Sequence, residues 1–205
     1  MNNIIVFFKT GGIVMLPLSI IAIALLTIMI DKLFFYHKHL KINKNLENII
    51  YQPQFCYQTW QNCIKNLSAQ NFYFILWQLI DLNNDKHNKK ILENQAISLI
   101  KKIEKQMFSR IWIVETIVSV APLLGLLGTI IGMSASFKIL GSNNQINQSG
   151  ITSGVAESLI ATAFGLVVAI IALFFFNLWQ RLANHTIDNL EIITTKLIDN
   201  TKING

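Results

Sequence analysis

Residues 121–133 read APLLGLLGTIIGM and residues 154–170 read GVAESLIATAFGLVVAI. Both runs are strongly apolar, yet neither is uniformly bulky. Small residues return every three or four positions: Ala121, Gly125, Gly128, Thr129, Gly132, Ala135 and Ser136 along the first, and Gly154, Ser158, Ala161, Thr162, Gly165, Ala169 and Ala172 along the second. At helical periodicity this spacing lays them on one face of each helix. Apolar side chains gain little by meeting one another in lipid, so membrane helices associate where small residues let backbones approach. The two faces therefore predict a pair of helices packed against each other in a bilayer. Leu124, Leu127, Ile131, Val167 and Phe174 fall on the opposite faces and suit acyl chains. Pro122 sits inside the first run and predicts a kink or a locally loosened helix.

Composition agrees. Of 205 residues, 52% are hydrophobic and 14% charged, against about 25% charged in an ordinary soluble domain. The net charge of +6 does not signal nucleic acid, because the basic residues form no single patch interleaved with aromatics. Cys56 and Cys63 are too few for a disulfide framework. The four histidines show no metal-ligand spacing, so neither metal nor cofactor is expected.

Crossing about 30 Å of hydrocarbon takes about 20 helical residues. Three stretches qualify: from Gly12 to Ile30, halted at Asp31 and Lys32; from Ile111 to Leu140; and from Val155 to Phe176, followed by Asn177, Trp179 and Arg181. Ala22-Ile23-Ala24 faintly resembles a signal-peptide cleavage site, but the apolar run continues through Leu25, Leu26, Ile28 and Ile30, which favours a retained helix. Most Lys and Arg lie between Lys32 and Arg110, the connection from Gly141 to Thr152 has none, and the tail carries Arg181, Lys196 and Lys202. Positive charge marks the cytoplasmic side. The expected layout is an outer N-terminus over 1–11, a first span over 12–35, a cytoplasmic helical region over 36–110, a second span over 111–140, a short periplasmic loop over 141–153, a third span over 154–178 and a cytoplasmic helical tail over 179–205.

From Asp85 to Ala121 no Gly or Pro intervenes. With Asn84 or Asp85 as a cap, and Ile91, Leu92, Ile97, Leu99, Ile100 and Ile103 at helical spacing, the segment predicts one helix running into the second span. The third span continues likewise towards Asn200, with Ile187, Leu190, Ile193 and Leu197 as its apolar stripe. The fold class is thus an all-α membrane protein, its second and third spans extended as long helices into a cytoplasmic helical bundle. Shorter helices are expected from Lys41 to Leu82, with a turn at Pro53 and a core of Phe55, Tyr57, Trp60, Phe72, Tyr73, Phe74 and Trp77. No phosphate loop and no Ser-His-Asp set can be assembled, which disfavours an enzyme.

Polar groups inside the spans remain. Thr129 and Thr162 lie at mid-depth, and Glu157 near the outer boundary. A carboxylate at the centre of a span costs about 2.5–3.5 kcal/mol on insertion scales, so it ordinarily faces protein or water. Glu157 has two readings: a functional group, or a first-turn acid gaining from the helix dipole just after Gly154. The threonines equally suit local bonds to backbone carbonyls. Glu115 falls at the cytoplasmic end of its span, and Lys138 is placed to snorkel outward.

The run from Ala121 to Met133, then Phe137, then Gly154 to Ile170 and Asn177, resembles the proton-channel signature of MotA/TolQ/ExbB proteins. The opening GGIVMLPLSI followed by Asp31-Lys32 is similar to the first span of ExbB-type members, and three spans rather than four favour the ExbB/TolQ branch. Thr129 and Thr162 match the family threonines of the second and third spans, and Glu157 the glutamate preceding the latter. Ile171 departs from the pattern, where proline is common. The resemblance implies a homo-oligomer, typically a pentameric ring in the bacterial inner membrane. Its second and third spans line a pore holding the single helix of an ExbD- or TolR-like partner, and proton flow works through that partner on a TonB- or TolA-like protein. Thr129, Thr162 and Glu157 are the implied proton-pathway residues. Ala121, Gly125, Gly128, Gly132, Ser158, Ala161, Gly165 and Ala169 form the packing faces. A scaffold without ion conduction would use the same faces. A small-molecule transporter would need a midplane site of broken helices, which three unrelated spans do not supply.

Overall fold

The computed structural model describes residues 12–40, 44–52, 57–82, 89–142 and 148–200. Seven α-helices are found among them: α1 Met15–Phe35, α2 Lys44–Tyr51, α3 Tyr57–Ile64, α4 Phe72–Leu82, α5 Lys89–Met107, α6 Ile111–Ser142 and α7 Gln148–Asn200. A π-helical turn, Tyr36–Leu40, continues α1. No strand occurs among the described residues. Three helical stretches are long and apolar enough to cross a bilayer: Met15–Leu40, Lys89–Phe137 and Thr152–Asp199.

Several expected boundaries move. Helix α6 runs on to Ser142 and α7 begins at Gln148, so the connection is narrower than 141–153. Asn84, Asp85, Pro53, Phe55 and Cys56 lie outside the described residues, as does the side chain of Lys138. The single helix predicted from Asp85 onward is two. Helix α5 stops at Met107, and Arg110 takes φ 65° before α6 starts, a left-handed conformation uncommon for a residue with a side chain. On α5 the buried face is Leu92, Ala96, Ile100, Ile103 and Met107, while Ile91 and Ile97 are exposed.

The chain divides into two compact units, Met1–Met29 with Arg110–Asn177, and Ile30–Ser109 with Leu178–Gly205. In the first, Val14 just before α1, Leu18 and Leu25 of α1, Val114, Ile117 and Ala121 of α6, and Ala161, Val168 and Ala172 of α7 form one buried cluster. The packing of α6 on α7 runs backbone to backbone. A Cβ on Gly165 would stand 2.6 Å from the carbonyl oxygen of Ala121 and 3.2 Å from the Cα of Gly125. One on Gly125 would meet the Thr162 Cα at 3.0 Å, one on Gly128 the Cβ of Ala161 at 2.8 Å, and one on Gly132 the Cβ of Ser158 at 2.8 Å. Leu124, expected on the lipid face, instead packs half-buried against this cluster, whereas Leu127, Ile131, Val167 and Phe174 are exposed.

The second unit buries Trp60, Tyr73, Leu76, Leu190, Ile193 and Leu197 fully or nearly so. Burial pushes the Tyr73 phenol well above its ordinary range. Asn189, 1% exposed, accepts a 2.6 Å bond from the Tyr51 hydroxyl. Lys196 ties the tail to the end of α2 by donating to the carbonyls of Ile50 and Gln52 at 2.6 and 2.7 Å. His39 stacks on Phe72.

Lys32 is the main surprise, for it is 3% exposed rather than a solvated stop signal. Its ammonium donates to the Met107 carbonyl at 2.9 Å and sits 5.0 Å from the Trp179 ring centroid and 5.3 Å from that of Phe35. The Trp179 indole N–H donates to the same carbonyl, also at 2.9 Å. The last carbonyls of a helix have no intrahelical donor. Here two side chains distant in sequence supply one, which fixes where α5 ends.

Two rankings follow. Trp179→Ala should destabilise the protein by about 3–5 kcal/mol, and Trp179→Phe by less, about 1–3 kcal/mol, through loss of the N–H and of part of the ring's packing. Gly165→Ala should cost about 1–3 kcal/mol because backbone must move, and Gly154→Ala less, since its nearest obstacle is the rotatable Ser136 hydroxyl. Unfolding midpoints in detergent check both, and a reversal of either order contradicts the packing described.

Candidate functional site

The polar groups of the first unit are distributed along the seam that the glycines create. Thr162, half-buried, donates its hydroxyl across the seam to the Gly125 carbonyl at 2.8 Å, and the Ser158 carbonyl one turn back lies 3.3 Å from the same oxygen. The cross-seam bond exists because Gly125 has no side chain to hold the helices apart. With its proton committed to a carbonyl, the hydroxyl keeps its lone pairs as acceptors. Two carbonyls within reach give that proton two resting directions.

Thr129 is also half-buried, and its hydroxyl bonds to the Leu126 carbonyl of its own helix at 2.6 Å. Ser158, 2% exposed, bonds back to Val155, and Ser136, also 2% exposed, bonds back to Gly132. Pro122 lies within α6, which continues through it without interruption. Its missing N–H deprives the Val118 carbonyl of its helical donor. Ile171 and Glu115 both face outward.

Glu157 stands well inside α7, nine residues after its first residue Gln148, so the first-turn dipole reading does not hold. Its half-buried carboxylate borders a cavity of about 220 Å3. Gly128, Gly132 and Gly154 line the same cavity, together with Gly12, Ile13 and Val14 from the start of α1. The structure thus brings Glu157 together with the packing glycines and engages Thr162 with Gly125, while Thr129 turns to its own helix.

Sequence reasoning missed the part played by α1. Its early residues read as ordinary apolar span, and only the glycine at position 12 hinted at a backbone needing φ above zero, which the structure shows at +72°. The burial of Lys32 carried no sequence signal of its own.

Comparison with known proteins bears on this arrangement. Residues 60–192 match the sequence profile of the MotA/TolQ/ExbB proton channel family. The putative biopolymer transport protein ExbB-like 3 of Synechocystis is 51% identical over 70 residues, 33% of each chain. The biopolymer transport protein ExbB of Aquifex aeolicus is 40% identical over 80 residues, 39% of this chain and 54% of the relative. That of Salmonella typhimurium is 31% identical over 120 residues, 57% of this chain and 49% of the relative. The chain therefore spans about a third to a half of the length of these curated relatives. With three helices able to cross a bilayer, it is a multi-pass membrane protein. The profile covers well over half of the 205 residues, with all of α6 and most of α7, and the chain belongs to the MotA/TolQ/ExbB proton channel family as an ExbB-type member.

Proposed function

We propose that this protein is the ExbB/TolQ-like subunit of an inner-membrane motor that uses the proton motive force to energise transport or envelope processes. The observation that carries the proposal is the hydroxyl of Thr162, held in a glycine-lined seam with its lone pairs available, one and a half turns from the carboxylate of Glu157. Copies of the chain form a ring, a pentamer by family analogy. The exposed sides of α6 and α7 face an ExbD- or TolR-like partner whose single helix carries the titrating carboxylate. Thr129 and Thr162 accept hydrogen bonds from water or from that carboxylic acid, and Glu157 tunes the outer vestibule. One charge falling through 100 mV releases about 2.3 kcal/mol, so a few protons suffice to move the partner and, through it, a TonB- or TolA-like protein. No bond chemistry is required of the chain, and its activity is not enzymatic.

Charge supports the orientation. The Lys- and Arg-rich segment between α1 and α6 and the tail lie in the cytoplasm, with the N-terminus and the 143–147 connection in the periplasm.

The cross-seam bond of Thr162 also favours a second reading, a scaffold whose threonine only fastens two helices. Substitution separates the two. Thr162→Val in the assembled complex should abolish potential-driven proton flux in proteoliposomes while the ring stays intact by native mass spectrometry, and Thr162→Ser should conduct. A conducting valine variant would leave only the scaffold. Glu157→Gln should lower flux; wild-type flux in that variant removes the carboxylate from the pathway.

A further inference from the structure

Gly12 stands just before α1 with φ +72°, a region open to glycine and strained for other residues. Its carbonyl accepts the first bond of the helix, from the Met15 N–H at 3.1 Å. The carboxylate of Glu157 rests against it. A Cβ on Gly12 would run into Oε1 of Glu157 and stand 3.1 Å from its Cδ and 3.5 Å from its Cγ. Two residues on, Val14 is 5% exposed and lies 3.6 Å from where a Cβ on Gly128 would be. The turn leading into α1 is thereby seated on α6 and α7, and the cavity beside Glu157 is walled by that turn and by those two helices.

We propose that Gly12 is a positioning residue for Glu157, and that the turn leading into α1 is a working wall of the cavity beside that carboxylate. This rests on the proposal that Glu157 belongs to the proton pathway. The physical content is steric and electrostatic together. Only a residue without a side chain lets the carboxylate lie against the backbone at the start of α1. There the unpaired N–H groups of a helix beginning favour negative charge. Any side chain at position 12 drives the carboxylate out of this place and into the cavity.

Placement and function are tested separately, on the full chain in its complex. In a background with Cys56→Ser and Cys63→Ser, the pair Gly12→Cys and Glu157→Cys should form an intramolecular disulfide on mild oxidation, read by mass spectrometry of the digested chain. Absence of the bridge overturns the placement. For the positioning role, Gly12→Ala should lower proton flux roughly tenfold, the effect of about 1.4 kcal/mol. Alanine at φ +72° is strained in every background, so the decisive comparison is with Glu157→Asp, whose carboxylate is one methylene shorter and clears the new methyl. Gly12→Ala combined with Glu157→Asp should conduct as Glu157→Asp alone does. The same tenfold loss in both backgrounds would assign the effect to backbone strain and overturn the positioning role. Wild-type flux in Glu157→Ala would remove the pathway reading itself, and the positioning role with it, while the disulfide result would still stand as a statement about placement.

Discussion

Everything in the first unit depends on how closely two backbones approach where Gly165 meets Ala121 and Gly125. Lipid offers no hydrophobic reward for pairing helices, so contact must come from dispersion and from polar groups that distance would otherwise keep apart. Glycine supplies the distance. It lets the Thr162 hydroxyl reach a carbonyl of the neighbouring helix, and it removes the side chains that would otherwise fill the space beside Glu157. The polar geometry is thus a consequence of the packing, and neither could be altered alone.

The second unit solves a different problem with different means. Its core is aromatic and aliphatic, built from Trp60, Tyr73, Leu76 and the stripe Leu190, Ile193 and Leu197. Polar side chains inside it serve helix ends: Lys196 closes the carbonyls at the end of α2, and Lys32 with Trp179 closes Met107. A buried ammonium is costly unless its hydrogen bonds are satisfied. The carbonyl and the two rings around Lys32 offset that cost.

Periodicity revealed what periodicity controls. The small faces at 121–136 and 154–172 and the tail stripe follow from residue spacing, because helix geometry alone decides which side chains share a side; the aromatic core was legible by residue type, and of it Tyr57 and Phe74 stay half-buried. Breaks decided by distant contacts left no such trace. Residues 108–110 contain neither Gly nor Pro, yet α5 ends there, since the groups that end it come from α1 and α7. Lys32 looked like a charge at a membrane boundary for the same reason: its surroundings are assembled only on folding. The first-turn reading of Glu157 failed for want of a boundary signal, because the polar run before Gly154 reads as loop while its residues from Gln148 onward are helical. Of the polar site residues, Thr162 and Glu157 were visible as types at telling depths. Their partners Gly125 and Gly12 were visible only as absences of side chain.

The glycine seam also settles where fluid cannot go. Where Gly165 meets Ala121 and Gly125 the two main chains nearly touch, so solvent is excluded there, and open space inside the unit begins at the cavity beside Glu157. The half-buried polar side chains Thr129, Thr162 and Glu157 border that contact. The closest contact of the unit is thus a seal, and the space open to polar groups begins at its edges.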